Sequence, residues 1–177
     1  MTLAVHAAAR RPVFYTTLGV PDTFDGRFEL LVLHGHLMIR RLRQDGDVGA
    51  ETAQNLFDAL IGHFDEALRE IGVGDMSVGK RMKTMASGVY GRLAAYDAGL
   101  DSEGPDGLED VVRRNVYGTA PDADASRVQA VAAYMRAAER HLATRPHDAV
   151  LAGVALYPEP LAPADGEAGM AAREADV

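Results

Sequence analysis

The sequence predicts an all-α fold, a single compact helical domain of about six or seven helices followed by a disordered acidic C-terminal tail. Three observations lead there. Alanine, leucine and arginine are plentiful. Runs of β-branched and aromatic residues with period-two alternation are scarce. Apolar residues instead recur at helical spacing, with Gly and Pro punctuating the chain at intervals that suit helices.

The elements follow in order. A first helix is expected over 3–17, stopped by Gly19-Val20-Pro21. Asp22 or Thr23 can cap the second, and Asp25 suits its first turn. This helix runs to about Arg43, and its interior from Phe28 to Leu42 is apolar nearly all round, the pattern of a central, buried helix. A third helix over 50–71 sets Leu56, Phe57, Leu60, Ile61, Phe64, Leu68 and Ile71 on one stripe. Gly72-Val73-Gly74-Asp75 ends it, and Asp75 can cap a fourth helix reaching about Ala98 with the stripe Val78, Met82, Met85, Val89, Leu93 and Tyr96. A shorter helix near 107–117 precedes one over 124–143 carrying Val128, Val131, Met135, Ala138 and Leu142. Pro146 stops that helix, and His147 to Gly153 suit one more short turn. One core is expected to gather Leu56, Leu60, Phe64, Val78, Met82, Met85 and Val89.

The helical domain is assigned to 1–157 and the tail to 158–177. The latter stretch holds three prolines, six alanines, two glycines and five acids against one arginine, too little apolar bulk to offset its ordering entropy.

Composition narrows the function classes. With no cysteine among 177 residues, disulfides, thiolate metal sites and cysteine nucleophiles are excluded. The net charge of −8 lies almost wholly in the second half, where 7 basic residues face 14 acidic ones. An acidic chain without a dense basic stripe is ill suited to bind nucleic acid directly. No apolar run is long enough for a transmembrane helix, and the first residues lack the pattern of a signal peptide, so a soluble, intracellular protein is expected.

Individual motifs give little chemistry. Gly74-Asp75-Met76-Ser77-Val78-Gly79-Lys80-Arg81 matches the phosphate-loop spacing, but Arg81 stands where a hydroxyl must bind magnesium and a helix end precedes it instead of a strand. His34 and His36, two apart on a helix, point in different directions, and no Glu-x-x-His pair exists, so neither a metal nor another cofactor is expected. A buried, hydrogen-bonded His34 is the simpler reading. Arg40, Arg41 and Arg43 suit the negative end of a helix dipole. Residues 72–92 stand out: Lys80, Arg81, Lys83 and Arg92 face only Asp75, and Lys80 and Lys83 share a helix face. Gly88 and Gly91 lie inside the fourth helix, where each costs about 1 kcal/mol relative to alanine and implies close approach of another backbone, in the core or from a partner.

Two stretches carry a specific resemblance. Tyr15-x-x-x-Gly19-Val20-Pro21-Asp22-Thr23-x-Asp25-Gly26-Arg27-Phe28-Glu29-x-Leu31-x-Leu33-His34 resembles a signature of the ubiquinol–cytochrome c chaperone family, the Cbp3-like proteins, in its bacterial form. The stretch Leu68-Arg69-Glu70-x-Gly72-Val73-Gly74-Asp75-x-Ser77-Val78-Gly79-Lys80, continuing through Met85, Tyr90-Gly91-Arg92 and Tyr96, is similar to a second block of the same family. His36 falls where an apolar residue is expected.

The resemblance implies an all-α assembly chaperone of the respiratory chain, acting on the cytochrome bc1 complex without catalysis. It implies newly made cytochrome b as client, held near the ribosome or the inner-membrane surface. The implied location is the cytoplasm, or the periphery of the cytoplasmic face of the inner membrane. Asp22, Thr23, Gly26, Arg27, Gly74, Asp75, Lys80, Lys83, Tyr90 and Arg92 become the candidate positions for binding client or partner. Physically, Asp22, Thr23 and Asp75 read as caps, Gly26 permits close packing, and Lys80 and Arg92 suit exposed contacts. The alternatives are a small nucleotide- or metal-dependent enzyme and a regulatory interaction domain with no cytochrome client.

Overall fold

A computed structural model describes residues 1–70, 75–154 and 156–163, with the side chains of 65, 67–70, 75–86 and 105 outside the description. The chain forms α1 (Thr2–Ala9), α2 (Pro12–Thr16), α3 (Phe24–Leu42), a 3₁₀ turn (Arg43–Asp45), α4 (Gly46–Glu70), α5 (Asp75–Asp101), α6 (Pro105–Asn115), α7 (Ala125–Ala143) and α8 (His147–Ala152). No strand occurs among the described residues. The all-α expectation is met.

Helix α3 is the axis of the fold. Every residue from Glu29 to Ile39 is buried, because α1, α4, α5 and α7 all pack against it. A helix enclosed on every side has no polar face to hide, which explains the apolar run read from the sequence. Close approach at one point depends on glycine. A Cβ on Gly35 would lie 2.5 Å from Leu60 Cδ1, so the bare backbone of α3 is what lets Leu60 of α4 seat. Leu56, Leu60, Phe64 and Val89 share one core with the α7 stripe Val128, Val131, Met135, Ala138 and Leu142. Val78, Met82 and Met85 lie outside the described side chains.

The expected first helix, 3–17, is two helices. Pro12 sits at the first position of α2, and the residue before a proline is pushed out of the helical region. Arg11 is accordingly extended, at φ −60° and ψ 127°. That break turns its side chain toward the end of the fold, where it donates to the carbonyls of Tyr157 (3.1 Å) and Pro158. Leu156, Tyr157 and Pro160 are buried there, and the Tyr157 hydroxyl donates to the His34 carbonyl at 2.7 Å.

The basic run at the end of α3 does more than answer the helix dipole, which corrects the expectation that the dipole suffices. Arg40 gathers Glu139 of α7 (2.7 Å), Asp97 of α5 (3.0 Å) and Asp101 of α5. Arg41 donates to the Leu142 and Arg145 carbonyls at 3.1 and 2.7 Å, closing the end of α7. Three helices are tied at one level. His36 belongs to the same knot. Its Nε2 lies 2.8 Å from Asp97 Oδ1 and its ring 5.4 Å from that of Tyr96, which accounts for a histidine where an apolar residue was expected.

Candidate functional site

The loop before α3 is built to start that helix sharply. Gly19 has φ 67°, a left-handed conformation that other residues rarely adopt. Of the two expected caps it is Thr23 that serves, its hydroxyl accepting from the Gly26 amide at 3.2 Å. Gly26 is enforced by space, since a Cβ there would fall 2.0 Å from the Pro21 carbonyl oxygen. Asp22 is left to pair with Arg27 at 2.6 Å on the surface, and the Arg27 guanidinium lies 5.8 Å from the centre of the Tyr15 ring. Capping and turning thus place a cation and an aromatic side by side.

One turn further along α3, Glu29 is buried, and Arg92 of α5 reaches across to it with contacts of 2.5–2.8 Å. Burial raises the Glu29 carboxyl above its ordinary range, and the hydrogen bond from Arg92 works against that rise. The Arg92 guanidinium also stands 5.3 Å from the centre of Phe28 and donates to the Gly88 carbonyl. Its charge is spent inside the chain. The expectation of Arg92 as a free surface contact is therefore corrected, because only a buried carboxylate paired in this way is tolerable in the core.

Around Phe28 lies an open pocket of about 110 Å³. Phe28, Leu31 and Phe64 form its apolar part, with Phe28 and Phe64 centred 4.7 Å apart. His6, Arg10, Tyr15 and Arg27 add a polar rim, together with His63, whose ring meets that of His6 edge-on at 4.4 Å. The His6 imidazole is pushed below its usual value by burial first, then by His63 and Arg10. Phe24, 44 % exposed, stands at the mouth. Tyr90, 53 % exposed, stacks on Phe57 of α4 at 4.5 Å.

The structure thus brings the two signature stretches together through Glu29, Phe28 and Arg92, with Asp22, Thr23, Gly26 and Arg27 at the same end of α3. Tyr90 lies two residues before Arg92 on α5. Gly74 and the side chains of Asp75, Lys80 and Lys83 lie outside the described residues, as does most of the phosphate-loop-like motif. Among the described residues, nothing packs closely on Gly88 or Gly91. A Cβ on Gly91 would meet nothing within 4 Å, and one on Gly88 only the mobile end of Arg92 at 3.2 Å. Close approach in the core is not found for either among the described residues.

Sequence reading missed the pocket because its rim comes from separate helices, α1 to α4, and nothing in a sequence links His6 to His63. Glu29 did leave a signal, the lone acid in the apolar stretch from Phe28 to Leu42, which implies a buried cationic partner.

The other histidines do not assemble a reaction centre. His34 is fully buried: Nδ1 donates to the Leu30 carbonyl at 2.7 Å, so Nε2 accepts from the Tyr134 hydroxyl at 2.9 Å. Burial lowers its pKa to about 4 and keeps the ring neutral. No group of three or more metal-ligating side chains occurs among the described residues. Nor is any helix among them long and apolar enough to cross a membrane.

Comparison with known proteins gives this geometry a family. A crystal structure of the Cbp3 homolog from Brucella abortus is similar over 89 % of this chain and 86 % of its own, at 34 % identity and a TM-score of 0.79. The mouse protein named ubiquinol-cytochrome c reductase complex assembly factor 1 is 26 % identical over 90 residues, which cover 51 % of this chain and 30 % of the mouse protein. The family described as ubiquinol-cytochrome C chaperone matches residues 16–157, a span that holds the second signature stretch, all of the first but Tyr15, and the pocket wall from α3 and α4. The chain belongs to the ubiquinol–cytochrome c chaperone family, a family of assembly chaperones and not of enzymes.

Proposed function

We propose that this chain is an assembly chaperone of the cytochrome bc1 complex that holds newly made cytochrome b before its incorporation. Family membership supports the complex. The observation that carries the client reading is the meeting of both signature stretches beside an open pocket with an apolar floor, a polar rim and the exposed Phe24. Such a surface suits a segment of a membrane protein that is apolar and still unassembled, since it offers burial without a reaction. Arg27 is its accessible contact at the pocket, and the exposed Tyr90 on α5 is a further candidate contact. Asp22, Thr23 and Gly26 hold the loop that presents them, and Arg92 fixes α5 against α3. Gly74 and Asp75 join this set as signature positions beside the start of α5. The chaperone would work at the cytoplasmic face of the inner membrane or beside the ribosome, where the client emerges.

Lys80 and Lys83 extend this reading as rim charges that speed encounter with the client or with that surface. Crosslinked pull-down from cells making cytochrome b tests it. Wild-type chain should recover cytochrome b, and Lys80→Glu with Lys83→Glu should lower recovery severalfold, with the difference fading as salt rises. A folded charge-reversed variant that recovers as much client as wild type in low salt would remove the lysines from the binding surface. Absence of cytochrome b from the wild-type pull-down would favour a regulatory interaction domain instead.

A further inference from the structure

We propose that Arg92 is a positioning residue for the pocket: paired with Glu29, it holds the Phe28 ring where that ring forms the apolar floor. The inference rests on the client-holding function proposed above and names what keeps that site open. Arg92 does not itself line the pocket. It reaches the pocket through Phe28, whose ring centre lies 5.3 Å from the guanidinium carbon. Phe28 is half-buried and comes 4.7 Å from Phe64, the second ring of the floor, and no hydrogen bond can orient a phenyl group. An apolar floor open to water is favoured to close on itself, since turning one ring inward removes apolar surface from solvent. A pocket of about 110 Å³ therefore needs a support that fixes its walls from outside the pocket itself.

The guanidinium suits that task because its own place is fixed from several directions. Its Nε donates to both Glu29 oxygens at 2.7 and 2.8 Å, and Nη2 stands 2.5 Å from one of them. Nη1 donates to the Gly88 carbonyl at 3.2 Å. Glu29 in turn is 5 % exposed on α3 and directly follows Phe28 in the chain. A planar cation anchored in this way is a fixed neighbour for an aromatic ring, which the flexible ammonium of a lysine is not. A buried ion pair is a poor device for stability alone, since apolar residues of similar volume often hold a fold as well or better. What apolar packing would not supply is a single orientation for the ring beside it. Preorganised walls reduce the ordering that a bound segment must otherwise bring about.

Replacing both partners separates positioning from stability. Glu29→Met with Arg92→Met removes the two charges together, so the fold should be kept, with a melting temperature equal to or above that of wild type. The chain has five phenylalanines, so full-length protein made with 4-fluorophenylalanine gives five fluorine signals. Those of Phe28 and Phe64 are assigned from Phe28→Leu and Phe64→Leu. Among the described contacts Arg92 meets Phe28 but not Phe64, so a change at Phe64 reports movement of the Phe28 ring and not the mere loss of a cation. In the methionine pair both signals should shift while that of Phe14, fully buried in the core, stays in place. Recovery of cytochrome b should fall severalfold although the fold is intact. A Phe64 signal left in place would overturn the positioning, as would a shifted signal with wild-type recovery of client. If the methionine pair does not fold, Arg92→Lys takes its place and the same outcomes decide, since it keeps a cation for Glu29 without a planar group for Phe28. Wild-type chain that recovers no cytochrome b would remove the client-holding function, and the fluorine signals would then decide the ring placement alone.

Discussion

The two ends of α3 are built from similar residues and put to opposite use. At its C-terminal end Arg40 meets Glu139, Asp97 and Asp101, Arg41 meets two carbonyls of the α7 terminus, and His36 meets Asp97. Charge there is consumed in joining three helices. At its N-terminal end Arg27 pairs, among the described residues, with Asp22 and the Tyr15 face, and an open pocket remains beside it. Composition alone does not separate the ends. What separates them is whether partner helices bring carboxylates to the same level. The difference teaches that a basic run on a buried helix is a statement about its neighbours, whereas basic residues beside unfilled apolar surface are available to something else.

The comparison breaks most visibly through the core that both ends share. Leu60 is 6 % exposed and seats against Gly35, so Leu60→Ala should cost about 2–5 kcal/mol of stability by chemical denaturation. A cost below about 1 kcal/mol would show that α4 is not held against α3 as described.

The buried middle of α3, between the two ends, should also respond to pH. His34 is kept neutral with a pKa of about 4, below the 6.5 expected when unfolded. Between those values the unfolded chain binds a proton that the folded chain refuses, so stability is full above about pH 6.5 and falls as pH drops toward 4. The whole step is worth on the order of 3 kcal/mol. Glu29, raised by burial, acts in the opposite sense, so the ring itself is the cleaner reporter. By NMR His34 should remain untitrated at pH 5 while denaturation midpoints fall. A ring that titrates near 6.5 would mean that the Leu30–His34–Tyr134 bonds do not hold it.

The helices were legible where one period governs a long segment. The stripes of α4 and α7 emerge because 3.6-residue spacing is a local property, and the caps and stops are local too. The break at Pro12 was also local but was passed over, since the apolar residues on either side continue the helical period. Arg40 and His36 could not be read, because their partners Asp97 and Glu139 lie 57 and more residues away and many acids compete for the role. The site was half legible: a resemblance marked Arg27, Tyr90 and Arg92, yet only packing distinguishes Arg92, bound to Glu29, from Arg27, bound at the surface.

The smallest effect sharpens the open side of the comparison most. Gly91 lies in the interior of α5, is exposed, and has room for a methyl group. Gly88 is one turn earlier, with only the end of Arg92 nearby. Nothing inside the described chain requires either glycine, so each lowers helix stability without compensation from packing. Gly91→Ala should therefore stabilise the protein by about 1 kcal/mol, the difference in helix propensity, and Gly88→Ala by somewhat less. At this chain length the gain corresponds to a melting temperature about 2–4 °C higher. A fall in melting temperature would mean that the α5 surface is already covered within the fold. Under the client-holding function the bare backbone is kept for a partner that lies close against it, because the closest approach of two chains requires the absence of a Cβ. The stabilised Gly91→Ala protein should then recover less cytochrome b than wild type in the same pull-down. If it is both more stable and equally effective, the glycines are a helix defect without a role, and client contact is confined to the pocket and the aromatic residues around it.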